Sequence, residues 1–109
     1  MQGQTELILE ALGQQELVAL LAALVSEAAT EAELTRELDL GQSMATRGLK
    51  HLRTVGLVER EAARGPYRAS FPDETRSVLE AVGQLADQIV AARARRDDWL
   101  RGEFAAQEK

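Results

Sequence analysis

The 109-residue chain contains no cysteine, one histidine, two prolines and few aromatic residues (4%). Without cysteine it can form neither disulfides nor zinc–thiolate sites, a composition that agrees with a cytoplasmic location. The single histidine, His51, has no second histidine with which to share a metal, so we predict a structural role for it and no metal site. The sequence also lacks a nucleophile–histidine–acid set, a phosphate-binding glycine loop and any cofactor motif. We therefore predict that the chain is not an enzyme and uses no cofactor.

Long hydrophobic runs are missing as well. No apolar segment approaches the roughly 18 residues that span a bilayer, and the N-terminal residues lack a signal-peptide pattern. We therefore expect no membrane partner. The hydrophobic content of 45% suffices for a compact core, and the length predicts a single domain over residues 1–109.

The charge of the chain is unevenly distributed. Its net charge is −5, which by itself argues against a nucleic-acid partner. Residues 41–68, however, hold six basic and two acidic side chains, a local charge of +4, and the remainder carries −9. A basic element on an acidic body is the electrostatic footprint of a protein that presents one face to DNA. The alternative is a chance cluster of solvated charges.

Apolar spacing and capping signals predict a mainly α fold. We predict about five helices, over residues 4–12, 14–28, 31–38, 42–55 and 73–101, followed by a frayed tail at 102–109. The helix at 14–28 is apolar around more than half of its circumference, so we expect it to be central. Thr30 and Glu33 have the spacing of a capping box, which would start the third helix. Pro72 and the acids after it are typical of the first turn of the last helix.

Two short strand-like runs follow the fourth helix, at 57–61 and 67–71. Gly56 is placed to end that helix, and the segment between the two runs is rich in turn residues. The order is that of a helix-turn-helix (31–55) followed by a β-hairpin, the wing (57–71). The sequence thus predicts a winged helix-turn-helix.

The helix at 42–55 sorts its residues into two faces. Ala45, Leu49 and Leu52 would face a core, and the opposite side carries groups that can bond to phosphates and base edges. We predict that DNA is bound by this polar face and by two wing arginines: Gln42, Ser43, Thr46, Arg47, Lys50, Arg64 and Arg68. The alternative interpretation is a polar helix face in water, since helix-turn-helix units also serve as protein-binding modules.

The stretch at 40–58 resembles the winged helix-turn-helix of the ArsR-type (arsenic repressor) family of bacterial transcriptional regulators. The matching or conservatively replaced positions are Gln42, Ser43, Thr46, Leu49, Lys50, Leu52, Arg53, Gly56, Leu57 and Val58. The resemblance covers about 17–71. In this chain Gly48 stands where many members have histidine, which we interpret as the loss of a side chain from the DNA face. The absence of cysteine excludes the metal–thiolate sensing of the founding members.

Apolar residues on the last helix recur at alternating spacings of four and three, the seam of a helix–helix pair. So small a domain offers this seam no second partner, so we predict a homodimer formed by the first and last helices. The predicted interface consists of Leu7, Ile8, Val78, Val82, Leu85, Ile89 and Trp99. Phe104, also large and late in the chain, would dock with Trp99 on the partner subunit.

These features together predict a homodimeric regulator that binds an inverted-repeat operator in double-stranded DNA and represses transcription. Three alternatives stay open for what relieves repression: a small molecule in a dimer cleft, a partner protein, or no effector at all, and no residue pattern distinguishes them. The alternative function is a protein-interaction module in which the acidic body binds a basic partner and the helix-turn-helix is only a scaffold.

Overall fold

The structure, a computed structural model, describes residues 3–107, with side chains described for 3–102. This range contains five helices and one two-stranded antiparallel sheet: α1 (Gln4–Leu12), α2 (Gln15–Ser26), α3 (Glu31–Leu38), α4 (Gln42–Val55), β1 (Val58–Arg60), β2 (Tyr67–Ala69) and α5 (Pro72–Gln107). The predicted mainly α fold with a hairpin is confirmed. The chain forms two compact units, one that ends at Ser77 and one that begins at Val78.

Helix α2 lies at the centre of the first unit, as its sequence predicts. Four of its leucines are at most 4% exposed, and they pack in one cluster with buried leucines of α3 and α4: Leu17, Leu20, Leu21, Leu24, Leu34, Leu49 and Leu52. Burying one such side chain stabilises a fold by about 1.5–3 kcal/mol relative to leaving it exposed. This cluster therefore fixes α3 and α4, the two helices of the helix-turn-helix, against α2.

The predicted capping box starts α3. The Oγ1 of Thr30 accepts a hydrogen bond from the backbone N–H of Glu33 at 3.2 Å, and the Glu33 carboxylate accepts one from the Thr30 N–H at 3.1 Å. The backbone bond from Thr30 lowers the pKa of Glu33, with a smaller contribution from the Thr30 hydroxyl. At the other end of α3, Asp39 has a left-handed backbone (φ 52°), which turns the chain toward α4.

Gly56 ends α4, also as predicted. Its φ of +99° lies in the left-handed region that favours glycine, and the N–H groups of Gly56 and Leu57 both bond to the Leu52 carbonyl at 3.0 Å. This sharp ending directs the chain into β1.

The wing is shorter than the sequence predicts, with three residues in each strand instead of five. Val58 pairs with Ala69 and Glu59 with Arg68. A further bridge joins Tyr67 of β2 to Ala29, by backbone hydrogen bonds of 2.8 and 3.0 Å in the two directions. The bridge to Ala29 fixes the hairpin to the α2–α3 loop.

Helix α5 is longer than predicted. It begins at Pro72 and continues to Gln107, so the expected end at 101 and the frayed tail from 102 are wrong for residues 102–107, and residues 108–109 lie outside the described part. Its first turns belong to the first unit, where Thr75 is 7% exposed and Arg76 donates to the Val25 carbonyl at 3.2 Å. The residues after 101 contain no proline to stop a helix.

Candidate nucleic-acid interface

Helix α4 presents two faces with opposite chemistry. Ala45, Leu49 and Leu52 are fully buried. The five side chains predicted to contact DNA from this helix are all exposed: Gln42, Ser43, Thr46, Arg47 and Lys50. The hydrophobic face anchors the helix, so the polar face is held at the surface of a rigid element.

The cations of this polar face are available to a partner. Arg47 uses its Nε to reach the Ser43 carbonyl at 3.4 Å, a local bond along the helix, and Thr46 bonds in the same way to Gln42 at 2.9 Å. Among the described residues, no carboxylate lies within 4.0 Å of the charged groups of Arg47 or Lys50. Four of the five residues line one shallow open depression, which leaves room for an incoming phosphate or base edge: Gln42, Ser43, Thr46 and Arg47.

Arg36 is a residue that the sequence analysis missed. This exposed side chain of α3 lines a second depression, together with Glu31, Ala32 and Thr35 of the same helix and Gln42 of α4, at the point where the two helices meet. The N-cap of α4 is Gly41, which has no side chain to cap the first amides of that helix. A cation beside an uncapped helix N-terminus suits an anionic partner. The sequence signal that could have identified Arg36 is its position as a basic residue in the last turn of α3.

Gly48 does not lie on the exposed polar face of α4, so our interpretation of this residue was wrong. It is buried, and a Cβ added to it would lie 2.7 Å from Leu20 Cδ1 and 3.1 Å from Leu17 Cδ2. Glycine therefore allows α4 to approach α2 closely. The spacing of Gly48, three residues after Ala45 and four before Leu52, already placed it on the inner face.

His51 lies half-buried on the same helix. Its Nε2 is buried and has no hydrogen-bond partner among the described residues. Within that range, no three side chains of the histidine, cysteine, aspartate or glutamate type converge into a metal-binding group.

On the wing, the two predicted arginines differ. Arg64 is exposed in the turn. Arg68 donates from Nε to Glu59 Oε1 at 2.7 Å, and its Nη2 lies 2.9 Å from Glu61 Oε1. The hydrogen bond to Glu59 is the main cause that raises the pKa of Arg68. A third arginine, Arg60, places its guanidinium 4.5 Å from the centre of the buried Tyr67 ring.

The predicted interface residues of α5 are exposed. In the second unit Val78, Val82, Leu85 and Ile89 are 44–59% exposed, and Trp99 is 64% exposed. The side chain of Phe104 lies outside the described side chains.

On α1 of the first unit, Leu7 and Ile8 are half-buried, whereas Leu9, which is not among the predicted interface residues, is 63% exposed.

Among the described residues, no single helix is both long and apolar enough to cross a membrane. Only α1 and α2 taken together reach that length and hydropathy, and they meet at a bend of 99°.

The order α3, turn, α4, β1, β2 defines a winged helix-turn-helix domain, and the chain has that fold. It is similar to the solved structure of reduced HlyU from Vibrio cholerae, with 27% identity over 75% of this chain and 87% of that one (TM-score 0.62), and to a second HlyU structure at 26% identity, covering 75% and 90% (TM-score 0.61).

It is also similar to Mb0332 from Mycobacterium bovis, at 25% identity over 80% of this chain and 82% of that one (TM-score 0.67). That solution NMR structure is described as the homodimeric winged helix-turn-helix DNA-binding domain of a possible ArsR-family transcriptional regulator. No protein-family model and no curated protein matches the chain.

Proposed function

We propose that the chain is a transcriptional regulator that binds duplex DNA through the polar face of α4. The observation that carries this proposal is an exposed basic helix face, without carboxylate partners among the described residues, on a winged helix-turn-helix whose remaining surface is acidic. The description of Mb0332 as a DNA-binding domain supports it. We infer that the chain acts by binding and not by catalysis.

In this proposal Arg47 and Lys50 contact phosphates or guanine edges, and Ser43 and Thr46 contact phosphates or thymine methyl groups. Gln42 would contact adenine or a phosphate. Arg36, which borders the same end of α4, is added as a phosphate contact.

The wing would reach the adjacent backbone or the minor groove. Arg64 is exposed in the turn and can make this contact directly, whereas Arg68 would first have to exchange its carboxylate partners for phosphate.

We further propose that the chain acts as a homodimer through the seam of α5 and through α1, with Leu7, Ile8 and Trp99 contributing. Exposed valine, leucine and isoleucine side chains along three turns form an apolar patch of the kind that soluble monomers avoid. A two-fold axis would place the two α4 helices roughly 34 Å apart, so the operator would be an inverted repeat with half-sites one helical turn apart. A dimer bound across a promoter would exclude polymerase, and we therefore propose repression, in the cytoplasm, as its role.

The test is the double substitution Arg47→Ala with Lys50→Ala, measured by salt titration of binding to random-sequence duplex and to a site selected in vitro. Loss of two phosphate contacts per subunit should lower the affinity and flatten the log–log salt dependence by about 1.8 units for each bound subunit, hence by about 3.6 units for a dimer. Arg93→Ala with Arg95→Ala removes the same charge from exposed positions of α5 and serves as the control.

A folded Arg47→Ala, Lys50→Ala protein that binds as the wild type does would contradict the proposal. It would instead favour the protein-interaction module.

A further inference from the structure

The wing holds its own cation in an internal ion-pair cluster. Glu59 lies directly opposite Arg68 in the antiparallel pairing, and Glu61 lies two residues further along the strand run, hence on the same side of the hairpin. The two carboxylates engage the Nε and Nη2 of the guanidinium at 2.7 and 2.9 Å. We call these three residues the wing cluster.

The wing cluster is exposed to solvent. The side chains of Arg68, Glu59 and Glu61 are 52%, 48% and 76% exposed, so a partner can reach all three. Ion pairs at the surface are weak because water and salt screen them. A phosphate can therefore replace the carboxylates, since both anions accept hydrogen bonds from the same guanidinium fork.

The cations of α4 differ in this respect. Within the described part of the chain, Arg47 and Lys50 have no carboxylate within 4.0 Å, whereas Arg68 has two. The cations of α4 are thus open to phosphate, whereas the guanidinium of Arg68 is already bonded to carboxylates in the positions that a phosphate would take.

We propose that Glu59 and Glu61 mask Arg68 in the free protein, so that the wing contributes its phosphate contact only when DNA displaces them. This inference rests on the proposed function, because it concerns the strength of DNA binding. The mask lowers the affinity for any duplex, and it makes the wing a weaker contributor to non-specific binding than its three arginines would suggest.

The test is a double-mutant cycle on binding to random-sequence duplex between 50 and 200 mM salt. It compares the wild type, Glu59→Gln with Glu61→Gln, Arg68→Gln, and the triple variant. The gain expected from neutralising the acids is the avoided cost of breaking two exposed ion pairs, each worth up to about fivefold in an equilibrium constant. We expect the acid-to-amide change to tighten binding, and to do so at least about threefold more when Arg68 is present than when it is absent.

Glu61→Gln alone, at the most exposed position of the wing cluster, should shift binding in the same direction by less. This single change keeps the test valid if the double substitution disturbs the hairpin, which circular dichroism and thermal unfolding would reveal.

Two results would overturn the inference while leaving the proposed function intact. Equal tightening with and without Arg68 would mean that the acids act by general repulsion of DNA. Weaker binding after their neutralisation would mean that they orient Arg68 for contact and do not mask it. A wild-type protein that bound no duplex at any salt concentration would instead refute the proposed function, and this inference with it.

Discussion

Replacing Gly48 by alanine tests how closely α4, the helix with the exposed polar face, packs on α2. The added Cβ would lie 2.7 Å from Leu20 Cδ1, about 1 Å closer than an ordinary contact between carbon atoms. Leu20 is 0% exposed, so its methyl group can move only by displacing other core atoms. Overpacking of this kind costs about 1–3 kcal/mol, whereas exchanging glycine for alanine inside a helix gains about 1 kcal/mol. We expect a net loss of about 1 kcal/mol in the free energy of unfolding.

The matched control is Gly83→Ala on α5. Gly83 is also inside a helix, but a Cβ added there meets nothing within 4 Å, so the same exchange should stabilise by up to about 1 kcal/mol. Urea unfolding followed by circular dichroism measures both variants, and the difference between them isolates the packing cost at Gly48. If Gly48→Ala stabilised the protein as much as Gly83→Ala does, the close contact between α4 and α2 would not exist.

Three further predictions concern the cap of α3, the interface and metals. Thr30→Ala should lower the free energy of unfolding, measured in urea, by about 1 kcal/mol. Because its bonds to Thr30 lower the pKa of Glu33, the stabilisation by this carboxylate is fully present above its unfolded pKa near 4.5 and is lost as pH falls through the lower folded pKa. Glu33→Gln should reduce this pH dependence. Leu85→Glu should split the proposed dimer in light scattering, whereas Gln84→Glu, one residue away and outside the seam, should not. A monomeric wild type at micromolar concentration would refute the seam. Saturating zinc, nickel or arsenite should change DNA affinity by less than about twofold, and a tenfold change at stoichiometric metal would reveal a site that we have missed.

Local signals in the sequence predicted much of the helix-turn-helix. Thr30 and Glu33 start α3 with hydrogen bonds that span only three residues, and Gly56 ends α4 because few other residues adopt its backbone conformation. The two faces of α4 were equally readable, since residues three and four apart share a side of a helix whatever lies beyond it. The identity of the exposed polar residues therefore required no tertiary information.

Tertiary structure decided which neighbour each face meets. Gly48 lies against α2 and not on the exposed polar face, and only the closeness of Leu20 shows why glycine is needed there. The pairing of Glu59 with Arg68 depends on the register of two strands, which residues distant in sequence determine together. Arg36 joins the candidate interface only because the left-handed turn at Asp39 brings the end of α3 beside the start of α4. Periodicity and caps act within a few residues of the chain, whereas close approach and ion pairing depend on how separate elements pack.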